Sequence, residues 1–212
     1  MPVDLAAATT AVSAADPHLA AFIRRAGPFE PRPGEGDALA SLARAIVFQQ
    51  LATRAAAAIH RRFVEAIGGS VTAPAILATP TETLRAAGLS GSKTISLLDL
   101  AAKVADGTVP LDGLDALDDD EIVARLTTVR GIGRWTAEMF LLFELQRPDV
   151  WPVDDLGIRR GWQLIHDQGE MLKPKALQAE GDRFRPYRSV VALYCWHAVH
   201  VDRGQVVLLP DG

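Results

Sequence analysis

The sequence predicts an all-α protein, and three observations indicate this. Alanine is frequent and runs of β-branched residues are few, a composition that favours helices over strands. Apolar residues recur at helical spacing, most clearly within 122–129 and 134–146. The chain has 212 residues and is 49% hydrophobic, enough for one domain or one unit of two lobes. We therefore expect a bilobed helical bundle.

The first 36 residues are predicted to form a separate segment that packs on the rest. It begins with a short helix at about 17–26 and continues into a loop, 27–36, with three prolines and three glycines. Residues 37–212 are then one functional body, and Asp37 is a candidate N-cap for its first helix. That helical region runs to about residue 67 and is interrupted at 48–51.

Shorter helices follow in the body of the chain. Two are expected within 72–87, and one each at 93–105 and 187–199. Lys93 follows a glycine-containing turn, and we interpret it as a solvated surface lysine or, alternatively, a phosphate contact. Tryptophans 151 and 162 are expected in the core, the usual place for an indole ring.

The centre of the chain carries the most informative pattern, a helix, a glycine turn and a second helix. The turn Arg130-Gly131-Ile132-Gly133 permits backbone angles closed to other residues and a close approach to a ligand. The second helix is predicted from Arg134 to about Gln146. Backbone N–H groups at such a helix start can bind a phosphate. The candidate phosphate-binding residues are Gly131, Gly133 and Arg134, and the alternative is a tight turn with no ligand.

Two acids precede the next helix, Asp154 and Asp155, after the proline-containing connector 147–153. One aspartate is expected as its N-cap. A single cap does not need two acids, so the second carboxylate, held ionised by the helix dipole, is available for chemistry.

Taken together, the spacing LxxVxGIGxxTA and the later Pro-Val-Asp-Asp resemble the helix-hairpin-helix DNA glycosylases. The nearest resemblance is to the DNA-3-methyladenine glycosylase II branch and covers roughly residues 37–200. It implies the DNA glycosylase fold, in a compact form without the extra N-terminal domain. It also implies a hydrolase of base excision repair that flips and excises alkylated purines, such as 3-methyladenine or 7-methylguanine, from double-stranded DNA.

The resemblance assigns roles to particular residues. The family pattern Pro-x-Asp indicates Asp154 as the catalytic carboxylate, with Asp155 as the alternative. Gln50 would face the base pocket and Leu51 would wedge into DNA; two surface glutamines at a helix end are the alternative. Rings of Trp135 and Trp196 would line the base pocket, where an alkylated, cationic purine is attracted to an indole face. The family's other pocket aromatic is replaced by Met139.

The resemblance also bears on cofactors and on the reaction type. Bifunctional relatives carry a lysine where this chain has Trp135, so we expect no cleavage of the abasic strand. No cofactor is expected to be required. The single Cys195 cannot supply an iron–sulfur cluster. Relatives hold a monovalent cation on hairpin carbonyls, which would place Na⁺ or K⁺ on the carbonyls of Thr127, Val129 and Ile132.

Charge and composition bear on partners and location. The net charge of −4 argues mildly against a nucleic-acid partner, although a local basic stripe can coexist with it. No apolar run is long enough to span a membrane, and the start lacks a signal-peptide pattern. We expect a cytoplasmic monomer that acts at the bacterial nucleoid. The alternatives are a glycosylase of the same fold for another lesion and a non-catalytic helix-hairpin-helix DNA-binding protein.

Overall fold

The computed structural model describes residues 4–27 and 37–204. Within these ranges every regular element is helical and no strand occurs, which confirms the predicted all-α class. Two short 3-10 turns, Leu114–Ala116 and Asp182–Phe184, accompany the α-helices. The α-helices are α1 Leu5–Ala15, α2 Pro17–Ala26, α3 Ala38–Phe48, α4 Thr53–Ala66, α5 Ala73–Ala78, α6 Thr81–Ala86, α7 Gly91–Ala105, α8 Asp119–Leu126, α9 Arg134–Phe143, α10 Leu156–Ile165, α11 Pro174–Gly181 and α12 Arg188–Asp202.

The chain divides into two compact units. Residues 34–140 form the central unit, and residues 1–33 together with 141–212 form the terminal unit. The terminal unit thus groups α1 and α2 with the C-terminal helices, and both pack against α12. The boundary predicted between residues 36 and 37 stays a prediction. Apart from Gly27, the loop predicted at 27–36 lies outside the described residues.

Several element boundaries differ from the prediction. Helix α1 was not expected, because its alanine-rich sequence shows little contrast between an apolar and a polar face. The helix predicted from Arg134 to Gln146 ends at Phe143. Gln146 takes a left-handed φ of 49°, and the Arg147 N–H donates back to the carbonyl of Leu141 at 2.9 Å. The apolar spacing continues into residues that turn away from the helix.

Close packing of α10 against α12 organises the terminal unit. A Cβ atom on Gly161 would lie 1.9 Å from the carbonyl oxygen of Cys195, so the two helix backbones touch there. The indole of Trp162 is 1% exposed and that of Trp151 is 6% exposed, as expected for core tryptophans. Burial raises the pKa of the Cys195 thiol far above its usual value. The glycine therefore brings α12 close to the start of α10.

A buried carboxylate joins α2 to the rest of the terminal unit. Asp16 accepts hydrogen bonds from the Leu19 N–H at 2.9 Å, His166 Nε2 at 2.9 Å and Arg183 Nη2 at 2.6 Å. Burial alone would raise the pKa of this carboxyl, but the hydrogen bonds from His166 and Leu19 and the charge of Arg183 outweigh it and lower the pKa. The N-terminal helices are thereby attached by an ionised group with several donors.

The central unit has its own core beneath α3, α4 and α7. Asp37 caps α3 by accepting the Ala40 N–H at 2.9 Å, which confirms the predicted N-cap. Ser90 caps α7 in the same way. The core side chains are Leu42, Ile46, Phe63, Leu97, Leu100, Ile122 and Leu126, all at most 1% exposed. This core fixes α7 beside the end of α3 and the turn after α8.

A membrane-spanning segment was also sought. Among the described residues, no helix combines the length and the apolar character that crossing a bilayer requires.

The contact between α10 and α12 can be tested with Gly161→Ala. A methyl group placed 1.9 Å from a backbone oxygen forces the helices apart, and we expect a loss of roughly 3 kcal/mol in unfolding free energy. Gly169→Ala is the matched control, because its Cβ would meet nothing within 4 Å. Urea unfolding followed by circular dichroism measures both. Equal stability of the two variants would contradict the packing described.

Candidate functional site

The glycine turn between α8 and α9 has the form expected of a hairpin. Gly131 has a left-handed φ of 81°, and a Cβ there would lie 2.4 Å from the Ser96 hydroxyl on α7. Glycine is therefore needed at this position for backbone angle and for space. Gly133 has no left-handed backbone, and a Cβ on it would meet nothing within 4 Å. The open side of the hairpin is thus at Gly133, where α9 begins.

Helix α7 holds the other side of the hairpin. The Asp99 carboxylate accepts the Arg130 N–H at 2.7 Å and the Lys103 ammonium at 2.9 Å. Lys103 also donates to the carbonyl of Thr128 at 2.5 Å. Burial alone would raise the pKa of Asp99, but the Arg130 N–H and Lys103 outweigh it, and the pKa lies below its usual value. An ionised carboxylate therefore anchors the hairpin backbone.

A second loop, residues 49–51, follows the end of α3, and we call it the glutamine turn. Gln50 has a left-handed φ of 55°, an uncommon angle for a residue other than glycine. The side chain of Leu51 is 39% exposed. Gln49 donates through Nε2 to the carbonyl of Gly131 at 2.9 Å, which connects this turn to the hairpin. Backbone strain of this kind concentrates at functional sites.

Lys93, on α7, contacts the main chain of the glutamine turn through its side chain. Its ammonium donates to the carbonyls of Val47 at 2.8 Å and Gln49 at 2.7 Å. The interpretation of Lys93 as a solvated surface lysine is wrong, because the residue is half-buried and bound to main-chain oxygens. Burial lowers the pKa of this ammonium. No pattern in the sequence reported this contact, because its partners are 44 and 46 residues away.

A pocket of about 460 Å³ opens between the glutamine turn and the start of α9, within the central unit. Its size is in the range of small-molecule sites. The structure brings three predicted base-pocket residues together here, Gln50, Trp135 and Met139. Trp135 is 47% exposed, so its ring is accessible at the surface. Sequence reasoning missed part of the lining, Phe48, Gln49 and Thr136.

The two adjacent acids belong to the terminal unit. Asp155 caps α10, and its Oδ1 accepts the Ile158 N–H at 2.8 Å and the Trp196 Nε1–H at 2.9 Å. A Cβ on Gly157 would lie 2.7 Å from the indole of Trp196, so the glycine gives that ring its place. Trp196 also stacks on Phe143, with ring centroids 5.5 Å apart and planes inclined by 19°. The structure thus joins a predicted aromatic residue to a predicted carboxylate.

Asp154 has a different environment. It is exposed in the turn just before Asp155. Within residues 4–27 and 37–204, its carboxylate accepts no hydrogen bond, and Asp155 provides the helix cap that the sequence predicted for one of the two acids. Of the pair, Asp155 is the carboxylate with a defined orientation.

The remaining predicted residues lie on the hairpin. Arg134 is exposed, and its Nε pairs with Glu138 Oε1 at 2.9 Å. Thr127, Val129 and Ile132, the predicted carbonyl ligands, occupy the turn, and the Val129 carbonyl accepts the Ile132 N–H at 3.1 Å. In the part of the chain that the structure describes, no cluster of three or more His, Cys, Asp or Glu residues is arranged to hold a metal ion.

Sequence reasoning also missed Gly157 and Phe143 as residues of the site, although one feature of the sequence pointed to Gly157. Gly157 lies in the first turn of α10, where glycine weakens a helix and often marks a close approach. That cue indicates a bulky neighbour but does not identify Trp196. Phe143 had no cue, because its apolar spacing along α9 is that of an ordinary core residue.

Comparison with known proteins places the chain in a family. Residues 43–186 match the HhH-GPD superfamily of base excision DNA repair proteins. Since the match covers more than half of the chain, the protein belongs to this superfamily.

Within the superfamily, similar proteins are 3-methyladenine glycosylases. The chain is 37% identical over 158 residues to DNA-3-methyladenine glycosylase 1 of Schizosaccharomyces pombe, covering 73% of this chain and 69% of that protein. The structure of a 3-methyladenine DNA glycosylase of the same yeast in complex with abasic DNA superposes with a TM-score of 0.80 at 32% identity, covering 89% of this chain and 94% of that one. A DNA-3-methyladenine glycosidase from Bacillus halodurans gives 0.86 at 33% identity, covering 93% and 91%.

The hairpin anchor can be tested with Asp99→Asn. The amide keeps an acceptor for the Arg130 N–H but loses the charge that faces Lys103, and we expect about 1–2 kcal/mol of lost stability at pH 7. Because the folded pKa of Asp99 is lowered, this difference is fully present above about pH 4 and is lost as the pH falls through the folded pKa. Urea unfolding at pH 7, 5 and 3 measures the change.

Asp112→Asn is the matched control, since it makes the same charge change at an exposed residue of the central unit. We expect it to stay within about 0.5 kcal/mol of the parent. A stability difference for Asp99→Asn that persists unchanged at pH 3 would contradict a role for the ionised carboxylate.

Proposed function

We propose that the protein is a monofunctional DNA glycosylase that excises alkylated purines from double-stranded DNA in base excision repair. The observation that carries the proposal is the pocket beside the glycine hairpin, with the accessible indole of Trp135 in its wall. The named activities of the relatives support it. A base within duplex DNA cannot reach such a pocket unless it is extruded from the stack.

The pocket suits a cationic purine. Alkylation at N3 or N7 gives the base a positive charge, and a cation over an indole face gains about 0.5–2 kcal/mol. The charged base is also a good leaving group, so no strong general acid is required. Met139 supplies a flexible, polarisable wall that adapts to bases of different shape. Trp196, the other predicted pocket ring, belongs to the terminal unit and contacts the carboxylate.

We assign the catalytic carboxylate to Asp155, the alternative of the two acids considered from the sequence. Its Oδ1 accepts hydrogen bonds from the Ile158 N–H and the Trp196 Nε1–H, and these two contacts fix the direction of the carboxylate. Such a carboxylate stabilises an oxocarbenium-like sugar or activates water, as carboxylates do in glycoside hydrolysis. Asp154, which the Pro-x-Asp pattern favours, remains the competing candidate.

The glutamine turn would enter the DNA. Leu51 is exposed at its tip and can fill the gap left by an extruded nucleotide, as apolar wedges do. Gln50 lines the pocket and can hydrogen-bond the extruded base.

The hairpin would bind the DNA backbone. The N–H groups at Gly133 and Arg134, at the start of α9, are placed to receive a phosphate. The carbonyls of Thr127, Val129 and Ile132 are oxygen donors of the type that hold Na⁺ or K⁺. A cation held there would add positive charge beside the bound phosphate. No other cofactor is required for the hydrolysis.

The reaction should stop at base release. Trp135 stands where bifunctional relatives carry a lysine, and an indole cannot form a Schiff base with the sugar. We infer that the protein acts as a monomer on genomic DNA, and hence in the cytoplasm of a bacterium.

The carboxylate assignment can be tested with Asp155→Asn and Asp154→Asn side by side. We expect Asp155→Asn to lower the rate of 7-methylguanine release from methylated duplex DNA at least about 100-fold, as loss of a transition-state charge does. Asp154→Asn should stay close to the parent, and both should keep their affinity for abasic duplex. The opposite ranking would move the role to Asp154. Release by neither the parent nor the variants, with DNA binding intact, would leave another lesion or a binding protein.

The role of Gln50 can be separated from its backbone strain. Gln50→Gly and Gln50→Ala both remove the side chain, but only glycine adopts the left-handed angle without cost. Gln50→Gly should therefore be more stable than Gln50→Ala by about 1 kcal/mol. Both should lose roughly tenfold in the rate of base release, the effect of one lost hydrogen bond. Thermal unfolding and single-turnover kinetics measure the two quantities. Parental rates in both variants would remove Gln50 from the base pocket.

A further inference from the structure

One face of α7 carries a row of polar side chains, Lys93, Ser96, Asp99 and Lys103. Their spacing of three, three and four residues places them along a single helical face. Each of them meets main chain of the glutamine turn or of the hairpin. Lys93 binds the carbonyls of Val47 and Gln49, Ser96 lies against Gly131, and Asp99 and Lys103 bind residues 130 and 128.

Lys93 has the most demanding position in this row. A half-buried ammonium loses hydration, and it is stable there only because the two carbonyls replace the lost water. A lysine near a helix end can simply cap the last carbonyls, in this case those of α3. An ordinary cap, however, does not account for the next residue. Gln50 takes a left-handed angle without being a glycine, so something must hold the peptide before it.

The contact with the Gln49 carbonyl supplies that constraint. It fixes the orientation of the peptide plane between Gln49 and Gln50. That orientation determines the directions in which the side chains of Gln50 and Leu51 point. The side chain of the same Gln49 donates to the Gly131 carbonyl. Gln49 is thus held through its main chain by α7 and through its side chain by the hairpin. The turn is preorganised before any DNA is present.

We propose that Lys93 is a positioning residue for base extrusion. It acts through the carbonyls of Val47 and Gln49 and holds the glutamine turn so that Leu51 projects outward and Gln50 faces the pocket. It touches neither the base nor the sugar. The inference rests on the proposed glycosylase function and adds to it the group that shapes the extruding turn.

The test compares two substrates that differ only in the free energy needed to extrude the base. One is a duplex oligonucleotide with a single paired 7-methylguanine, and the other carries the same base in a one-nucleotide bulge. Lys93→Met removes the ammonium and keeps the length of the side chain. We expect its single-turnover rate on the paired base to fall about 100-fold, as for a misplacement remote from the chemistry. On the bulged base the deficit should be at least about tenfold smaller, because the base is already unpaired.

Lys103→Met is the matched comparison, ten residues further along α7. It loses a contact with the hairpin carbonyl of Thr128, so we expect weaker binding to undamaged duplex and equal deficits on paired and bulged bases. Lys175→Met controls for charge, because Lys175 is exposed on α11 in the terminal unit and makes the same charge change. It should leave both rates near those of the parent.

The possible results distinguish the role of Lys93 from the proposed glycosylase function. A deficit for Lys93→Met that is selective for the paired base, with unchanged affinity for undamaged duplex, supports the proposal. Equal deficits on both substrates, or none, would overturn it while leaving the glycosylase function intact. Failure of the parent protein to release 7-methylguanine from either substrate would instead refute the proposed function. Thermal unfolding checks that Lys93→Met is folded, and Lys93→Gln replaces it under the same two criteria if it is not.

Discussion

Main-chain polar groups that lie between helices must find partners, and in the central unit α7 supplies them. Loops lack the regular hydrogen bonds that satisfy the backbone inside a helix, so each buried N–H or carbonyl left over costs stability. Lys93, Asp99 and Lys103 provide donors and an acceptor for the glutamine turn and the hairpin. The two loops therefore keep defined shapes although neither contains regular structure. The pocket is lined by residues of both of these loops.

In the terminal unit, the close packing around the acids depends on two glycines. Gly161 lets the backbone of α10 touch that of α12, and Gly157 leaves room for the indole of Trp196 one turn earlier. Trp196 then reaches the carboxylate of Asp155 with its N–H. The carboxylate thus accepts two neutral N–H donors, those of Trp196 and Ile158, at the start of α10. In the proposed reaction, these two contacts would hold the carboxylate in one direction.

In the glutamine turn, the stability of the fold and the proposed function favour different residues. A glycine at position 50 would remove the strain of the left-handed angle, but it would also remove the amide that lines the pocket. The side chain of Leu51 is exposed, although water is an unfavourable surrounding for it. Both features cost stability in the free protein, and the proposed extrusion of a nucleotide would give both a use. The net charge of −4 does not oppose the proposed binding of DNA, because backbone amides at a helix start can bind a phosphate without a charged side chain.

The resemblance to a known family, rather than a local pattern, indicated Gln50, Trp135 and Met139 as residues of the pocket. The sequence by itself determined the helical class, the glycine turn between two helices and the pair of adjacent acids. These features depend on local spacing, which a chain displays directly: apolar periodicity, a Gly-x-Gly turn and two adjacent aspartates. Only the tertiary structure decided which aspartate has a fixed orientation, since that depends on Trp196, 41 residues away. It also decided the contacts of Lys93, whose partners are Val47 on α3 and Gln49 just after that helix. Contacts of this kind depend on how helices pack, and no local pattern encodes them.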